Sequence, residues 1–451
     1  MRPSWLMSDL ERKERATTSE GCSHETSCKS QKKKRSRSEG TDITSDTDSP
    51  DGSQDTSFAS PKKKSDAESE ADTTSDTDSP DSVKRCKRVH FETETSLSRM
   101  DSESLVFLKN IPKYTSKWSE EVLQCLRIQV VQQFPDMHDV FLEGCLHFID
   151  DPQKRAEIMP DLFVSKNEDE QTVIECFKHV LQHIFTLHCD DLSNVELDDL
   201  REMESVLTSP HWIDNFAERS PNKQYCRKVL EDLARKLKLF VWQLMHMVRK
   251  SQNQGKEITK GMYQELFVLF AKTFNLHILS GSNVEKYTMG IGDDNRFVAV
   301  PDAVICHPNT DKDNICAVVE VKKYWLDEDY SNQNVHSLRK CERRISNPHH
   351  IGSDLQSQHV GQILCAQPHS LFGEKGNFGI VVQGTKVMIS SFKADSFYYQ
   401  NLKNGFLMEK GATITFSKEC NILRKEGRTD CIQTFLHFKK LMEFLSKKSF
   451  S

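Results

Sequence analysis

Apolar clusters are almost absent from residues 1 to about 98, and from about residue 101 they recur in regular runs. A chain orders only where it can bury enough apolar surface to offset the entropy of being fixed. The first 98 residues, dominated by Ser, Thr, Asp, Glu and Lys, are therefore expected to form a disordered charged tail. The rest of the 451-residue chain is left to carry the folded part.

The tail has internal organisation. The segment Thr44-Ser45-Asp46-Thr47-Asp48-Ser49-Pro50-Asp51 recurs as Thr74-Ser75-Asp76-Thr77-Asp78-Ser79-Pro80-Asp81, a duplication without the further copies that a packed array needs. Basic clusters stand at Lys32-Lys33-Lys34-Arg35, Lys62-Lys63-Lys64 and Lys84-Arg85-Cys86-Lys87-Arg88. Compact basic clusters in a solvated tail suit a nuclear import receptor, so a nuclear location is expected. Ser49-Pro50, Ser60-Pro61 and Ser79-Pro80 offer phosphorylation sites whose charge would offset those lysines. Arg88-Val89-His90-Phe91 resembles the docking peptide of protein phosphatase 1 partners, because Val89 and Phe91 alternate and can fill two pockets while the peptide adds a strand.

Charge and cysteine usage narrow the classes. The net charge of −6 supplies no global basic face, so contact with nucleic acid must come from local patches. The 14 cysteines contain no CxxC pair, which argues against a structural zinc site and for reduced thiols in a cytosolic or nuclear protein. Cys145, Cys176, Cys306, Cys316 and Cys365 lie inside apolar runs, as small hydrophobes do. No apolar run is long enough to cross a bilayer and the first residues lack a signal-peptide core, so no membrane is expected.

Residues 99–255 read as a mostly helical region. Helical spacing is seen over 118–135, 168–188 and 222–249, and in the last of these Val229, Leu233, Leu237, Phe240, Leu244 and Met247 form one stripe. His183, His188, Asp190 and Asp191 form a polar cluster expected at the surface. Residues 256–451 read as an α/β domain: a helix at 259–274, strands near 277–281, 296–306 and 315–323, a helix at 353–367, a hairpin turning at Gln383-Gly384-Thr385, and a closing helix near 430–447. That order predicts a mixed sheet flanked by helices. Gly290-Ile291-Gly292-Asp293-Asp294 lacks the strand–turn–helix setting of a nucleotide site and is assigned to a hairpin or loop.

Within the second region one stretch concentrates chemistry, Val300 to Tyr324. Pro301-Asp302 ends one apolar run, and Glu320-Val321-Lys322 ends the next. Alternation along a strand puts Glu320 and Lys322 on one face. If the two runs pair, Asp302, Glu320 and Lys322 converge at one end of the sheet, with the turn supplied by His307-Pro308-Asn309-Thr310-Asp311. Two carboxylates and a lysine so placed can hold a divalent cation and orient a water.

Over about residues 256–395 this arrangement resembles the PD-(D/E)xK nucleases, whose fold is that of the restriction endonucleases. The resemblance implies that Asp302 and Glu320 bind Mg²⁺, with the Val321 carbonyl near the metal, and that Lys322 positions or activates the attacking water. It implies an extra acid at Glu265 on the preceding helix. Gln358 and Gln362 resemble the Gln-led helical motif of recombination-type exonucleases, whose second residue is commonly Tyr. Lys323, Arg339, Lys340, Arg343 and Arg344 can track a phosphate backbone. The expected activity is Mg²⁺-dependent hydrolysis of DNA or RNA, with a mobile element or defence system as a source. The alternative is a non-catalytic nuclear interaction protein that keeps a nuclease-like scaffold and docks partners through its tail.

Overall fold

The computed structural model describes residues 110–449, apart from residues 132, 150, 157–167, 255, 293–294, 308–313, 324–350, 396 and 408–410. The tail with its basic clusters, Ser-Pro sites and Arg88–Phe91 motif lies outside the described residues, as do Arg339, Lys340, Arg343 and Arg344.

The N-terminal part runs α1 (Glu120–Cys125), β1 (Ile128–Val131), α2 (Met137–Phe148), α3 (Glu168–His179), α4 (Leu197–Thr208), α5 (His211–Ala217) and α6 (Lys223–Gln254). It continues through α7 (Lys260–Thr273), β2 (Ile278–Ser280), β3 (Tyr287–Ile291), β4 (Asn295–Ala299), β5 (Ala303–Cys306) and β6 (Ile315–Lys322). Then follow α8 (Ser353–Ala366), β7 (Gly376–Gln383), β8 (Lys386–Ala394), α9 (Tyr398–Lys403), β9 (Ala412–Phe416), β10 (Cys420–Asn421) and α10 (Lys425–Ser449). The fold is α/β: an eight-stranded mixed sheet in the order β1-β9-β8-β7-β6-β5-β2, with β10 beside β8, flanked by helices.

Two differences from the sequence reading have clear causes. The expected strand over 296–306 is two strands in two sheets: β4 pairs with β3 in a separate hairpin, and β5 joins the main sheet. Pro301 has no N–H to donate to a ladder, so the run breaks at Val300-Pro301-Asp302. The expected helix over 118–135 stops at Cys125, and Arg127 takes a positive φ of 54° that turns the chain into β1. β1 then lies parallel to β9 at the edge of the main sheet, Ile128 against Ala412. A strand from the expected helical region thus completes a sheet built mainly from residues beyond 255. One core likewise joins Phe141, Leu230 and Phe240 to Phe267, Val319 and Phe378.

The sheet is buried on both faces. One face takes Ala303, Ile305, Ala317, Val319 and Val321 into the core shared with α2, α6, α7 and α10. The other takes Val304, Val318 and Val381 into a second core with α1, α8, α9 and the β3–β4 hairpin. β6 sits between β5 and β7 and is buried from Ile315 to Val321, as its unbroken apolar run requires. α8 is buried almost all round. At Gly361 a Cβ would meet Thr115 and Trp118 at 2.8 Å, so the missing side chain permits that close approach. The hairpin from β7 to β8 turns at Gly384, whose φ of +61° suits glycine.

A buried arginine joins the helical part to the C-terminal helix. After α3 the chain makes one π-helical turn, Val180–Ile184, in which the Phe185 N–H donates to the Val180 carbonyl rather than to Leu181. The freed Leu181 carbonyl accepts from Arg428 Nε at 3.1 Å. The same guanidinium donates to the carbonyls of Phe185 and Leu187 at 2.8 Å each and of Ile422 at 3.2 Å. His183, His188, Asp190 and Asp191 lie on the surface nearby, with Asp190 paired to Arg424 and His188 to Glu426.

Candidate active site at the β5–β6 junction

Strand register brings the acids together. β5 and β6 are antiparallel with Ala303 opposite Val319, so Asp302 stands opposite Glu320 when the register is continued by one residue. Opposed residues of an antiparallel pair share a face, and Lys322, two residues on from Glu320, shares it too. The Asp302 N–H donates to the Val319 carbonyl at 3.1 Å. The Asp302 side chain then acts as a further rung, its Oδ2 accepting from the Val321 N–H at 2.7 Å. The break at Pro301 therefore aims the aspartate across the end of the ladder.

Helix α8 lies over that face and supplies the partners of Glu320. Gln358 and Gln362 are spaced i, i+4 and present their amides side by side. Gln358 Nε2 donates to Glu320 Oε1 at 2.8 Å, and Gln362 Nε2 donates to Oε2 at 2.6 Å. Gln358 Oε1 also accepts from Lys322 Nζ at 2.8 Å. One carboxamide therefore orients both the acid and the lysine. Lys322 Nζ is 3.1 Å from Glu320 Oε1 as well. In the second place of the expected Gln-led pair, where Gln stands instead of Tyr, Gln362 donates to the Glu320 carboxylate.

Two residues of α7 that the sequence reading passed over complete the cluster. Lys260 Nζ lies 2.7 Å from Asp302 Oδ1 and 3.6 Å from Glu320 Oε1. Gln264, one turn on, donates to the Asp302 backbone carbonyl at 2.6 Å. Glu265 does not join them. It is exposed, rotated round the helix from Gln264, and the face that meets Asp302 carries Lys260 and Gln264. The expected extra acid on this helix is thus a lysine and an amide. Lys323, expected to track phosphates, pairs with Glu257.

The site is deep at one end and open at the other. The Glu320 side chain is 1% exposed and Asp302 16%, whereas Lys322 is 35% and Lys260 43% exposed. Burial and the neighbouring Asp302 carboxylate push the Glu320 carboxyl above the usual range, against the pull of Lys260 and Lys322. Burial alone would lower the Lys260 ammonium, but Glu320 and Asp302 outweigh it and hold the group above its ordinary value. A buried carboxylate is tolerated only when paired, and here two ammonium groups and two amides pair it.

No family model, curated protein or solved structure matches the chain. The chemistry of the site must therefore be read from its own groups. Among the described residues no three His, Cys, Asp or Glu side chains come together as a ready metal cage. Mg²⁺ does not require one, since it is commonly held by one or two carboxylates together with waters and substrate phosphates. Asp302 and Glu320 are hard oxygen donors that already share one cation, the Lys260 ammonium. The donor set fits a hard divalent ion. Among the described residues no helix is long and apolar enough to cross a membrane.

Proposed function

We propose that this chain is a Mg²⁺-dependent nuclease of the PD-(D/E)xK type that hydrolyses phosphodiester bonds in nucleic acid. One observation carries the reading: Asp302, at the entry to β5, and Glu320, on the neighbouring β6, meet on one face with Lys322, and α8 holds both Glu320 and Lys322 through Gln358. The arrangement around them supports it. α7 precedes the antiparallel run β2-β5-β6, and α8 carries the chain from β6 to its parallel neighbour β7.

Mg²⁺ held by Asp302 and Glu320 would supply a Lewis acid that offsets charge growing on the phosphoryl and leaving oxygens. Gln358 and Gln362 fix the Glu320 carboxylate by donating to each of its oxygens, so it keeps one orientation through the reaction. Lys322 is held by the Gln358 carbonyl oxygen while its side chain stays 35% exposed, so its ammonium can donate to the attacking water or to a phosphate oxygen. Val321 donates to Asp302 Oδ2, which leaves Oδ1, paired here with the Lys260 ammonium, as the oxygen that would be offered to a metal.

A second reading, a non-catalytic scaffold, is favoured by the closure around Glu320, whose side chain is 1% exposed with both oxygens engaged. The basic tail clusters fit a nuclear location under either reading. The two part in a cleavage assay of the full chain on labelled DNA and RNA, with and without Mg²⁺. The nuclease reading requires cleavage that chelation stops and that Asp302→Ala loses. No cleavage of any substrate by the wild type would leave the scaffold.

A further inference from the structure

The site is electrically balanced by two lysines. Asp302 and Glu320 carry two negative charges, and the ammonium groups of Lys260 and Lys322 carry two positive ones. Both ammonium groups approach the same oxygen, Glu320 Oε1, at 3.6 Å and 3.1 Å. Like charges so close repel, and a divalent ion added between the same carboxylates would repel both. One lysine must then give way, and the two are not equally held. Lys322 is tied to Gln358 as well as to Glu320 and projects from the middle of the sheet. Lys260 is the first residue of α7, is the more exposed, and its charge contacts are the two carboxylates themselves. Its flexible stem can swing outward without moving the helix.

We propose that Lys260 is the resident counter-ion of this site, and that a divalent metal binds by displacing its ammonium from between Asp302 and Glu320. The inference rests on the metal-binding reading and deepens it. Lys260 keeps the buried carboxylate neutralised without metal and raises the metal concentration at which the site fills. Lys322 stays in place in both states, because Gln358 holds it independently of the cation.

The test is Mn²⁺ binding to the full chain, read from the loss of the free-ion signal in electron paramagnetic resonance. Wild type is compared with Lys260→Met, Lys260→Gln, Lys260→Arg and Asp302→Ala. Removing the charge in Lys260→Met or Lys260→Gln should tighten Mn²⁺ binding at least tenfold. Lys260→Arg should bind no tighter than wild type, and Asp302→Ala should lose binding. Without metal, Lys260→Met should melt below wild type, and saturating Mn²⁺ should raise its melting temperature by more than it raises that of wild type. Equal or weaker binding by both uncharged variants, with wild type binding and Asp302→Ala not, overturns the role of Lys260 and leaves the metal site standing. No binding by wild type or by any Lys260 variant overturns the metal reading itself, and with it this inference.

Discussion

Replacing Arg428 by Met tests how the helical part and the sheet are joined. The guanidinium is fully buried and donates to four carbonyls: Leu181, Phe185, Leu187 and Ile422. Three of them belong to the π-turn and the segment after it, where no helix hydrogen bond can serve them. Met retains most of the apolar stem and removes every donor. A buried acceptor left without a partner costs about 1–3 kcal/mol. Relaxation and recovery of the guanidinium's desolvation, which already holds its pKa down to about 10, offset part of the sum. A net loss of roughly 3–5 kcal/mol is expected. For a folded part of this size that is a fall in Tm of roughly 6–10 °C, at about 2 °C per kcal/mol. The assay is thermal unfolding of the full chain followed by circular dichroism. Arg428→Lys should recover little, because one ammonium cannot reach four carbonyls. A fall of less than about 2 °C for Arg428→Met would refute the reasoning, since burying the cation would then cost as much as its hydrogen bonds return.

Other expectations follow from the same contacts. A fragment of residues 256–451 should not fold, because it lacks β1 and the α2 and α6 side chains that complete the shared core; a sharp, cooperative unfolding transition for the fragment would contradict this. Gly361→Ala should lower stability by about 1–3 kcal/mol in chemical denaturation, since its Cβ would meet Thr115 and Trp118 at 2.8 Å. Burial holds the His138 imidazole down to about 4 and those of His359 and His437 down to about 3. These groups stay neutral in the fold, whereas in the unfolded chain they protonate near 6.5, so stability is lost as pH falls from about 6.5 toward 4. Each contributes about 1.4 kcal/mol per pH unit across that window, and a Tm that does not change between pH 7 and pH 4.5 would contradict the sign.

Much of this arrangement could be read from the residues alone. The alternation of Glu320 and Lys322 and the apolar runs around them fix a strand face, and strand pairing then carries Asp302 to it. Gln358 and Gln362 were legible through their resemblance to a Gln-led helical motif, and being one turn apart they both reach Glu320. Lys260 was not, because a lysine at a helix start reads as a solvated charge until the helix is docked on the strand end. Glu265 illustrates the opposite error. Its acid chemistry suits the site, but Tyr263, Leu266, Phe267 and Phe270 define the buried stripe of α7, and Glu265 lies on the far side of it. The spacing of that stripe carried the information. β1 was hidden for another reason: four residues between two helices are too few for alternation to show, and their partner β9 lies far along the chain.

The most direct test of the central claim is a comparison of nucleic-acid cleavage in Mg²⁺ by wild type, Asp302→Asn, Lys322→Met and Glu265→Gln, on labelled single- and double-stranded DNA and on RNA. The expected result is cleavage by wild type and Glu265→Gln at equal rates. Asp302→Asn and Lys322→Met should each lose about 10²–10³-fold or more, as removal of a charge-stabilising group from a reaction centre does. Equal rates for all four proteins, or wild-type cleavage that persists in chelator, would contradict the account.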